Sequence, residues 1–184
     1  AAIQYSIADQ GLRNLPAQLN GVGLDIGCGT GIHTQSLNAR GLQAIGVDIA
    51  KGMLTLASTN YPHIIFKEGS AQALPIDSNS ISVAYSSMAL QWANSPNCVA
   101  KEINRVLKNG AIAELAIMVS GSFDELIKAR QLAMLPSAVT PLTTGTTWYG
   151  AFRDANLAVK RVITRDYVDS HSDIMSLLRS VKGV

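Results

Sequence analysis

A glycine-rich turn directly after a short apolar run constrains this chain more than any other feature. The run is Val22–Ile26, and the glycines at 27, 29 and 31 follow it at alternate positions. Glycine has no Cβ atom, so it adopts positive φ angles and lets a ligand approach the backbone closely. The helical pattern after the turn offers free N–H groups in its first turn. The sequence therefore predicts a strand, a turn and a helix, with a ligand bound at the turn.

Strand-like and helix-like segments alternate along the chain, which is typical of an α/β fold with a doubly wound, mostly parallel sheet. The predicted strands are residues 22–26, 43–47, 64–67, 81–86 and 111–119. The predicted helices are residues 32–39, 51–59, 95–109 and 122–134. Toward the end of the chain, the pattern predicts a loop over residues 136–150, an edge strand over 158–167 and a helix over 173–179.

Composition favours a single globular domain over residues 1–184, because 47% of the residues are hydrophobic and 15% are charged. A net charge of +2 is too small to indicate nucleic-acid binding, and we expect no membrane span or secretory signal. Cys28 and Cys98 are the two cysteines, and their positions fit a reducing compartment, so we predict a cytoplasmic protein. No metal-spaced cluster of ligands is present, so no metal is predicted.

The spacing of the glycines separates two classes of nucleotide ligand. A dinucleotide site has a third glycine three positions after the second, and here that position is Ile32, which disfavours NAD-dependent redox chemistry. The observed G-x-G-x-G pattern, with Asp25 two residues before it, resembles the first motif of the seven-strand S-adenosylmethionine (SAM)-dependent methyltransferases. The resemblance implies a Rossmann-like methyltransferase fold, SAM as cofactor and S-adenosylhomocysteine (SAH) as product.

The resemblance also implies a role for each residue of the cofactor site. Asp25 would hold the glycine turn, and Asp48 would accept hydrogen bonds from the ribose hydroxyls. The alternative role for Asp48 is the N-cap of the following helix, and the two roles can coexist. Ser70 stands where the family usually has an aspartate that binds adenine, and an ordinary turn serine is the alternative. The residues predicted to bind the cofactor are Asp25, Gly27, Cys28, Gly29, Gly31, Asp48, Ile49, Ser70, Ala71 and Ser86.

Several further segments resemble a narrower family. Residues 85–96 and 101–110 are similar to the corresponding parts of small-molecule methyltransferases. Ala-Leu-Gln-Trp at 89–92, the segments 121–126 and 177–183, and the first five residues together resemble the biotin-pathway malonyl-acyl-carrier-protein O-methyltransferases. This resemblance implies methylation of the free malonyl carboxylate, with malonyl-acyl carrier protein or malonyl-CoA as substrate.

No catalytic side chain is predicted, because a carboxylate is already ionised near neutral pH and needs no general base. The residues predicted on the substrate side are Tyr5, Gln91, Trp92 and Arg153. Core packing is the alternative for Trp92, and a solvated surface charge is the alternative for Arg153. Methylation of another small molecule, such as a quinone precursor, and SAM binding without transfer are the rival functions.

The end of the chain bears on the completeness of the predicted fold. The seven-strand fold usually closes with a final antiparallel strand, which related chains supply after the Lys-Gly turn. This sequence ends at Val184, shortly after that turn. We therefore expect a C-terminally truncated chain that lacks the final strand.

Overall fold

A five-stranded parallel sheet organises residues 2–136 and 140–177, which are the residues that the computed structural model describes. The strands are β1 (Val22–Ile26), β2 (Gln43–Asp48), β3 (Ile65–Glu68), β4 (Ile81–Ser87) and β5 (Leu107–Ala116). Their order in the sheet is β3-β2-β1-β4-β5. The order reverses between β1 and β4, which opens a crevice at the carboxyl ends of these two strands.

Helices connect and flank the strands, as parallel crossovers require. They are α1 (Ala2–Asn14), α2 (Ile32–Ala39), α3 (Lys51–Asn60), α4 (Pro96–Val106), α5 (Asp124–Leu132) and α6 (Gly145–Asp154). A short 3-10 helix covers Leu90–Trp92. The doubly wound α/β fold predicted from the sequence is confirmed. None of these helices is long and apolar enough to cross a membrane, as far as residues 2–136 and 140–177 go.

Two hydrophobic clusters lie against the sheet, because successive side chains of a strand point to opposite faces. One cluster joins Leu24 and Ile26 of β1 to the apolar side of α4 and to Trp148 of α6. The other joins Val83 and Tyr85 of β4 to leucines of α1 and α2. The two central strands are therefore buried on both faces, which fixes the position of their carboxyl ends.

The first four strands lie within one or two residues of their predicted positions, but β5 begins earlier than predicted. The helix predicted over 95–109 ends at Val106, and Leu107 is already extended, with φ −70° and ψ 137°. Ile81 pairs with Leu107, whereas Val83 pairs with Ile112, so β5 bulges between the two pairs. Gly110 permits the bulge, because it adopts φ +78°.

The predictions for the second half of the chain need three corrections. Residues 136–150 were predicted as a loop, yet α6 begins at Gly145 because the Thr144 side chain caps it by accepting from Thr147 N. Residues 158–167 form no strand. The helix predicted over residues 122–134 is shorter than expected, since it begins at Asp124 with Phe123 as an N-cap that makes no side-chain hydrogen bond, and it ends at Leu132.

Two further differences from the sequence-based expectation lie at the ends of the chain. Helix α1 was not predicted at all. Residues 174–177 make one helical turn, and the rest of the predicted helix 173–179, like most of the segment 177–183, lies outside the described residues.

Candidate ligand site

The glycine turn lies at the carboxyl end of β1 in the conformation that its sequence predicts. Gly27, Gly29 and Gly31 have φ angles of +76°, +52° and +84°. The amides of Gly27 and Cys28 both donate to the carbonyl of Val47, at 2.7 and 3.1 Å. The turn is therefore held against the end of β2 by its own backbone.

The first and second glycines of the turn differ in what surrounds them. A Cβ atom at position 27 would lie 2.1 Å from the Cβ of Ala89, in the segment that follows β4. A Cβ atom at position 29 would meet nothing within 4 Å. Gly27 therefore allows two pieces of chain to approach each other, whereas Gly29 leaves open space over the turn.

Asp48 fixes the turn from the end of β2. One carboxylate oxygen accepts from Gly29 N at 2.8 Å, and the other accepts from Ala50 N, also at 2.8 Å. Ala50, rather than Asp48, is the N-cap of α3. A carboxylate has about four acceptor positions, so the side chain retains the capacity for further hydrogen bonds.

Asp25 is an internal brace beneath the turn. Its side chain is 2% exposed and accepts a hydrogen bond from the Thr34 hydroxyl at 2.7 Å, which ties β1 to α2. Burial raises the pKa of Asp25 to about 7, the Thr34 bond opposes this rise, and the charge of Asp48 adds to it. The buried carboxyl therefore gains or loses its proton near neutral pH.

Ser86 and Cys28 lie within the protein rather than on the open side of the turn. Ser86 is fully buried, and its hydroxyl donates to the carbonyl of Ile26 at 2.7 Å, which joins the ends of β4 and β1. Burial and then the charges of Asp25 and Asp48 raise the pKa of the Cys28 thiol, so this thiol is protonated and unreactive. The Ser86 hydroxyl and the Cys28 thiol therefore serve the fold, and only the Cys28 backbone faces the turn.

The loop after β3 lies beside Asp48. Gly69 N donates to the carbonyl of Asp48 at 3.0 Å, which brings Ser70 and Ala71 next to the site. The Ser70 hydroxyl accepts from Gln72 N at 3.1 Å, so Ser70 does act as a turn serine. Ile49 is 73% exposed directly after Asp48 and offers an apolar surface on the same side.

The segment after β4 borders the turn from the other side. Gln91 is buried, and its amide nitrogen donates to the carbonyl of Met88 at 2.8 Å. Trp92 is half exposed, so core packing does not account for the whole ring. Because Ala89 contacts Gly27, this segment brings Gln91 and Trp92 toward the glycine turn.

Helix α1 approaches the turn through an aromatic chain. The ring of Tyr5 lies edge-on to His33, with centroids 6.5 Å apart, and His33 lies 6.1 Å from the ring of Tyr85. The Tyr85 hydroxyl donates to the carbonyl of Ala8 at 2.8 Å. Burial lowers the pKa of His33, and the charge of Asp9 opposes that effect. Tyr5 therefore lies over the start of α2, immediately after the turn.

Comparison with known protein families identifies the family to which this chain belongs. A family described as "Methyltransferase domain" matches residues 24–115, which are half of the chain and contain both the glycine turn and Asp48. The chain belongs to this methyltransferase family. The family predicted from the glycine spacing is thereby confirmed.

Curated relatives of this methyltransferase domain include two with informative names. The biotin biosynthesis bifunctional protein BioHC of Cellvibrio japonicus is 38% identical over 133 residues, which are 71% of this chain and 26% of that protein. The malonyl-[acyl-carrier protein] O-methyltransferase of Serratia marcescens is 28% identical over 195 residues, covering 100% of this chain and 74% of that protein. The malonyl-[acyl-carrier protein] O-methyltransferase of Yersinia pestis is 33% identical over 108 residues, which are 59% of this chain and 40% of that protein.

Solved structures share the fold. The YcgJ protein of Bacillus subtilis has a TM-score of 0.69 at 23% identity, covering 84% of this chain and 69% of its own. Geranyl diphosphate C-methyltransferase from Streptomyces coelicolor, solved with SAH, has a TM-score of 0.68 at 13% identity and covers 84% and 60% of the two chains. The methyltransferase fold is therefore common to proteins with little sequence in common.

One predicted site residue of the methyltransferase domain lies apart from the others. Arg153 is exposed on α6, and its guanidinium lies 5.9 Å from the ring centroid of Tyr149. None of its described contacts is with the glycine turn. Among residues 2–136 and 140–177, no three His, Cys, Asp or Glu side chains cluster as a metal site would require.

Sequence reasoning missed three residues that shape the site. Tyr85 was noted only as the start of a segment, and its bond to α1 joins residues 77 positions apart. Glu102 and Arg105 lie in the segment 101–110 and were given no role of their own, although they bind the loop after β3. Their spacing of three residues on a helix was the available signal, since such residues lie on one face.

Proposed function

We propose that this domain transfers a methyl group from SAM to the free carboxylate of malonyl-acyl carrier protein, in biotin synthesis. The observation that carries the proposal is the glycine turn, which is open above Gly29 and linked to the Asp48 carboxylate at 2.8 Å. The names of the relatives from Serratia marcescens and Yersinia pestis support the choice of acceptor. Malonyl-CoA is the smaller substrate that carries the same reacting group.

The residues at the turn fit the chemistry of SAM. Asp48 retains acceptor capacity for the two ribose hydroxyls, and Ile49, Ser70 and Ala71 offer apolar and polar contacts for the adenine base. The open backbone around Gly29 would receive the sulfonium and amino-acid end, with Asp25 as the support beneath it. When bound, SAM supplies an electrophilic methyl group on a positively charged sulfur.

The protein then has to position the acceptor rather than to activate it. A malonyl carboxylate is ionised at neutral pH, so no side chain has to remove a proton. Correct alignment and exclusion of water supply the rate enhancement in such a reaction. We assign these tasks to Tyr5, Gln91 and Trp92, which lie in the two segments that border the turn.

Two further parts of the proposal concern the anchor for the malonyl group and the location of the protein. Arg153 is the proposed anchor for the malonyl group, although its described partner is Tyr149. The cytoplasm is the proposed location, since Cys28 and Cys98 are both free thiols.

Mass spectrometry of malonyl-acyl carrier protein, incubated with SAM and this domain, tests the proposal. We expect the carrier to gain the mass of one methyl group, and we expect acetyl-acyl carrier protein, which lacks the free carboxylate, to gain nothing. Asp48→Ala should abolish the gain, because it removes the proposed ribose acceptor and the tether to Gly29. Lys108→Gln, at an exposed position near the start of β5 and therefore at the opposite end of the parallel sheet from the turn, is the control that should keep it.

Calorimetry with SAH on the same samples separates the possible failures. Binding of SAH without methylation of malonyl-acyl carrier protein or malonyl-CoA would redirect the search to another small-molecule acceptor or to a binding protein without transferase activity. A folded protein that does not bind SAH would overturn the proposal as a whole.

A further inference from the structure

The loop after β3 is held by two side chains of α4 that have no role in the function proposed above. We define the nucleoside loop as residues 69–76, which include Ser70 and Ala71. We propose that Glu102 and Arg105 are positioning residues, which hold the nucleoside loop in its binding conformation before SAM arrives. The inference rests on the proposed function, because it concerns the same cofactor site.

Both polar groups of the Leu74 backbone are bound by this pair. Glu102 Oε2 accepts from Leu74 N at 2.7 Å, and Arg105 Nη2 donates to Leu74 O at 3.0 Å. Arg105 Nη1 donates to Ile76 O at 2.8 Å and to the Ser78 hydroxyl at 3.1 Å. Two bonds of 2.7 and 2.8 Å join the guanidinium to the Glu102 carboxylate itself.

The remaining contacts fix the nucleoside loop on both sides of Ser70 and Ala71. Gly69 N donates to Asp48 O at 3.0 Å, which ties the start of the loop to β2. Gln72 Oε1 accepts from Ser95 N at 2.8 Å, at the N-cap of α4. Leu74 and Ile76 are buried in the core. Ser70 and Ala71 lie between these fixed points, so α4 determines their position without an α4 side chain that is hydrogen-bonded to either one.

The geometry of the guanidinium matters more here than its charge. The Arg105 and Glu102 side chains are 34% and 18% exposed, and ion pairs with this access to water add little stability by attraction alone. A guanidinium can serve several acceptors at once from one rigid plane, which an ammonium group cannot do. The hydrogen bond from Arg105, opposed by partial burial, lowers the pKa of Glu102, so the carboxylate remains charged near neutral pH.

Pre-organisation of the loop has a measurable consequence for affinity. When a ligand binds only one conformation of a protein, its apparent Kd is the intrinsic Kd divided by the fraction of the protein in that conformation. If the loop of a variant is in place for about one tenth of the time, the Kd for SAH rises about tenfold. The methyl transfer step at saturating SAM is unaffected, because neither side chain contacts the reacting groups.

Arg105→Lys and Glu102→Gln test the inference, with Arg13→Lys as the matched control. Arg105→Lys keeps the charge but loses the planar fork, so we expect the Kd for SAH and the KM for SAM to rise about tenfold, with kcat unchanged. Glu102→Gln keeps an acceptor for Leu74 N and should have a smaller effect in the same direction. Arg13 pairs with Asp9 on the exposed side of α1, so Arg13→Lys should leave all three quantities unchanged.

Hydrogen exchange and thermal unfolding complete the experiment. In the ligand-free protein, we expect the amides of Gln72, Ala73, Leu74 and Ile76 to exchange faster in Arg105→Lys than in the wild type or in Arg13→Lys. A lower Tm with an unchanged Kd for SAH in both test variants would show a purely structural role and overturn the inference. A wild-type protein that does not bind SAH would overturn the proposed function, and this inference with it.

Discussion

The two sides of the candidate site differ in how the chain builds them. The proposed donor side, which would bind the methyl donor SAM, is a strand, a turn and a helix that are contiguous in sequence. The backbone amides of the turn donate hydrogen bonds to Val47 and Asp48. The proposed acceptor side combines α1, the segment after β4 and the region beyond β5, which are far apart in sequence. Helix α5 in that last region has no buried residue. In the proposed function, the glycine turn that receives SAM is therefore specified locally, whereas the residues that bind the acceptor would come from segments far apart in sequence.

Gly27→Ala should lower the stability of the fold more than the other substitutions, because it disrupts the contact between Gly27 and Ala89, which joins the two sides. A left-handed φ and a Cβ 2.1 Å from Ala89 should together lower the free energy of unfolding by about 3–5 kcal/mol in urea denaturation. Gly29→Ala has the left-handed φ but no close neighbour, so its loss should be about 1–2 kcal/mol. Equal losses in the two variants would show that the approach of Ala89 is unimportant.

Asp25→Asn should reveal a pH dependence that belongs to the donor side. The pKa of Asp25 is raised from 3.8 to about 7, so the folded state holds the proton more tightly than the unfolded state does. The resulting stabilisation is complete below the unfolded pKa and is lost as the pH rises through about 7. In urea denaturation, the free energy of unfolding of Asp25→Asn should rise relative to that of the wild type between about pH 4 and 7, by a few kcal/mol at most.

Above about pH 7 the difference between Asp25→Asn and the wild type should become constant, because Asp25 is then deprotonated in both states. A difference that stays constant over the whole range would show that the buried carboxyl does not change its protonation on unfolding.

Trp92→Ala should weaken binding of the acceptor without weakening binding of the cofactor. The ring is half exposed, so we expect a moderate loss of about 2 kcal/mol in the free energy of unfolding. The KM for malonyl-acyl carrier protein should rise about tenfold, as loss of about 1.4 kcal/mol of binding would give. The Kd for SAH should be unchanged by calorimetry, and a weakened SAH complex would place Trp92 on the donor side instead.

Tyr85→Phe should have the smallest effect of the four. It removes the hydroxyl that donates to Ala8 O and leaves that carbonyl without this partner, which should cost about 1 kcal/mol in thermal or urea unfolding. Tyr149→Phe, at a partly exposed ring on α6, is the control and should change stability by less than about 0.5 kcal/mol. If both variants behave alike, the bond to α1 does not contribute.

The sequence was sufficient for the donor side because short-range sterics govern it. Three alternate glycines after a buried strand leave few conformations open, and Asp48 follows from the end of the next strand. The same local logic placed the first four strands correctly. The position of β5 was wrong because the bulge depends on its pairing with β4, which no local pattern records.

The parts that the sequence did not predict depend on tertiary contacts. Helix α6 was taken for a loop because its threonines and glycines are weak helix formers, yet Trp148 and Ala151 are buried on its inner side. Glu114 interrupts the apolar pattern of β5, and its partners lie far away in sequence: Asn14, at 2.6 Å and 100 residues away, and Arg161, at 3.6 Å. Residues 158–167 alternate as a strand does, but alternation alone does not create a neighbouring strand to pair with.

The contact between Gly27 and Ala89 also limits how this protein can evolve. The methyl group of Ala89 fills the space that any side chain at 27 would need. A larger residue at 89 would press on the turn, and a mutation at 27 could be tolerated only if position 89 lost its methyl group as well. Substitutions at the two positions are therefore coupled, and the turn limits which residues the segment 88–92, proposed to border the acceptor, can carry.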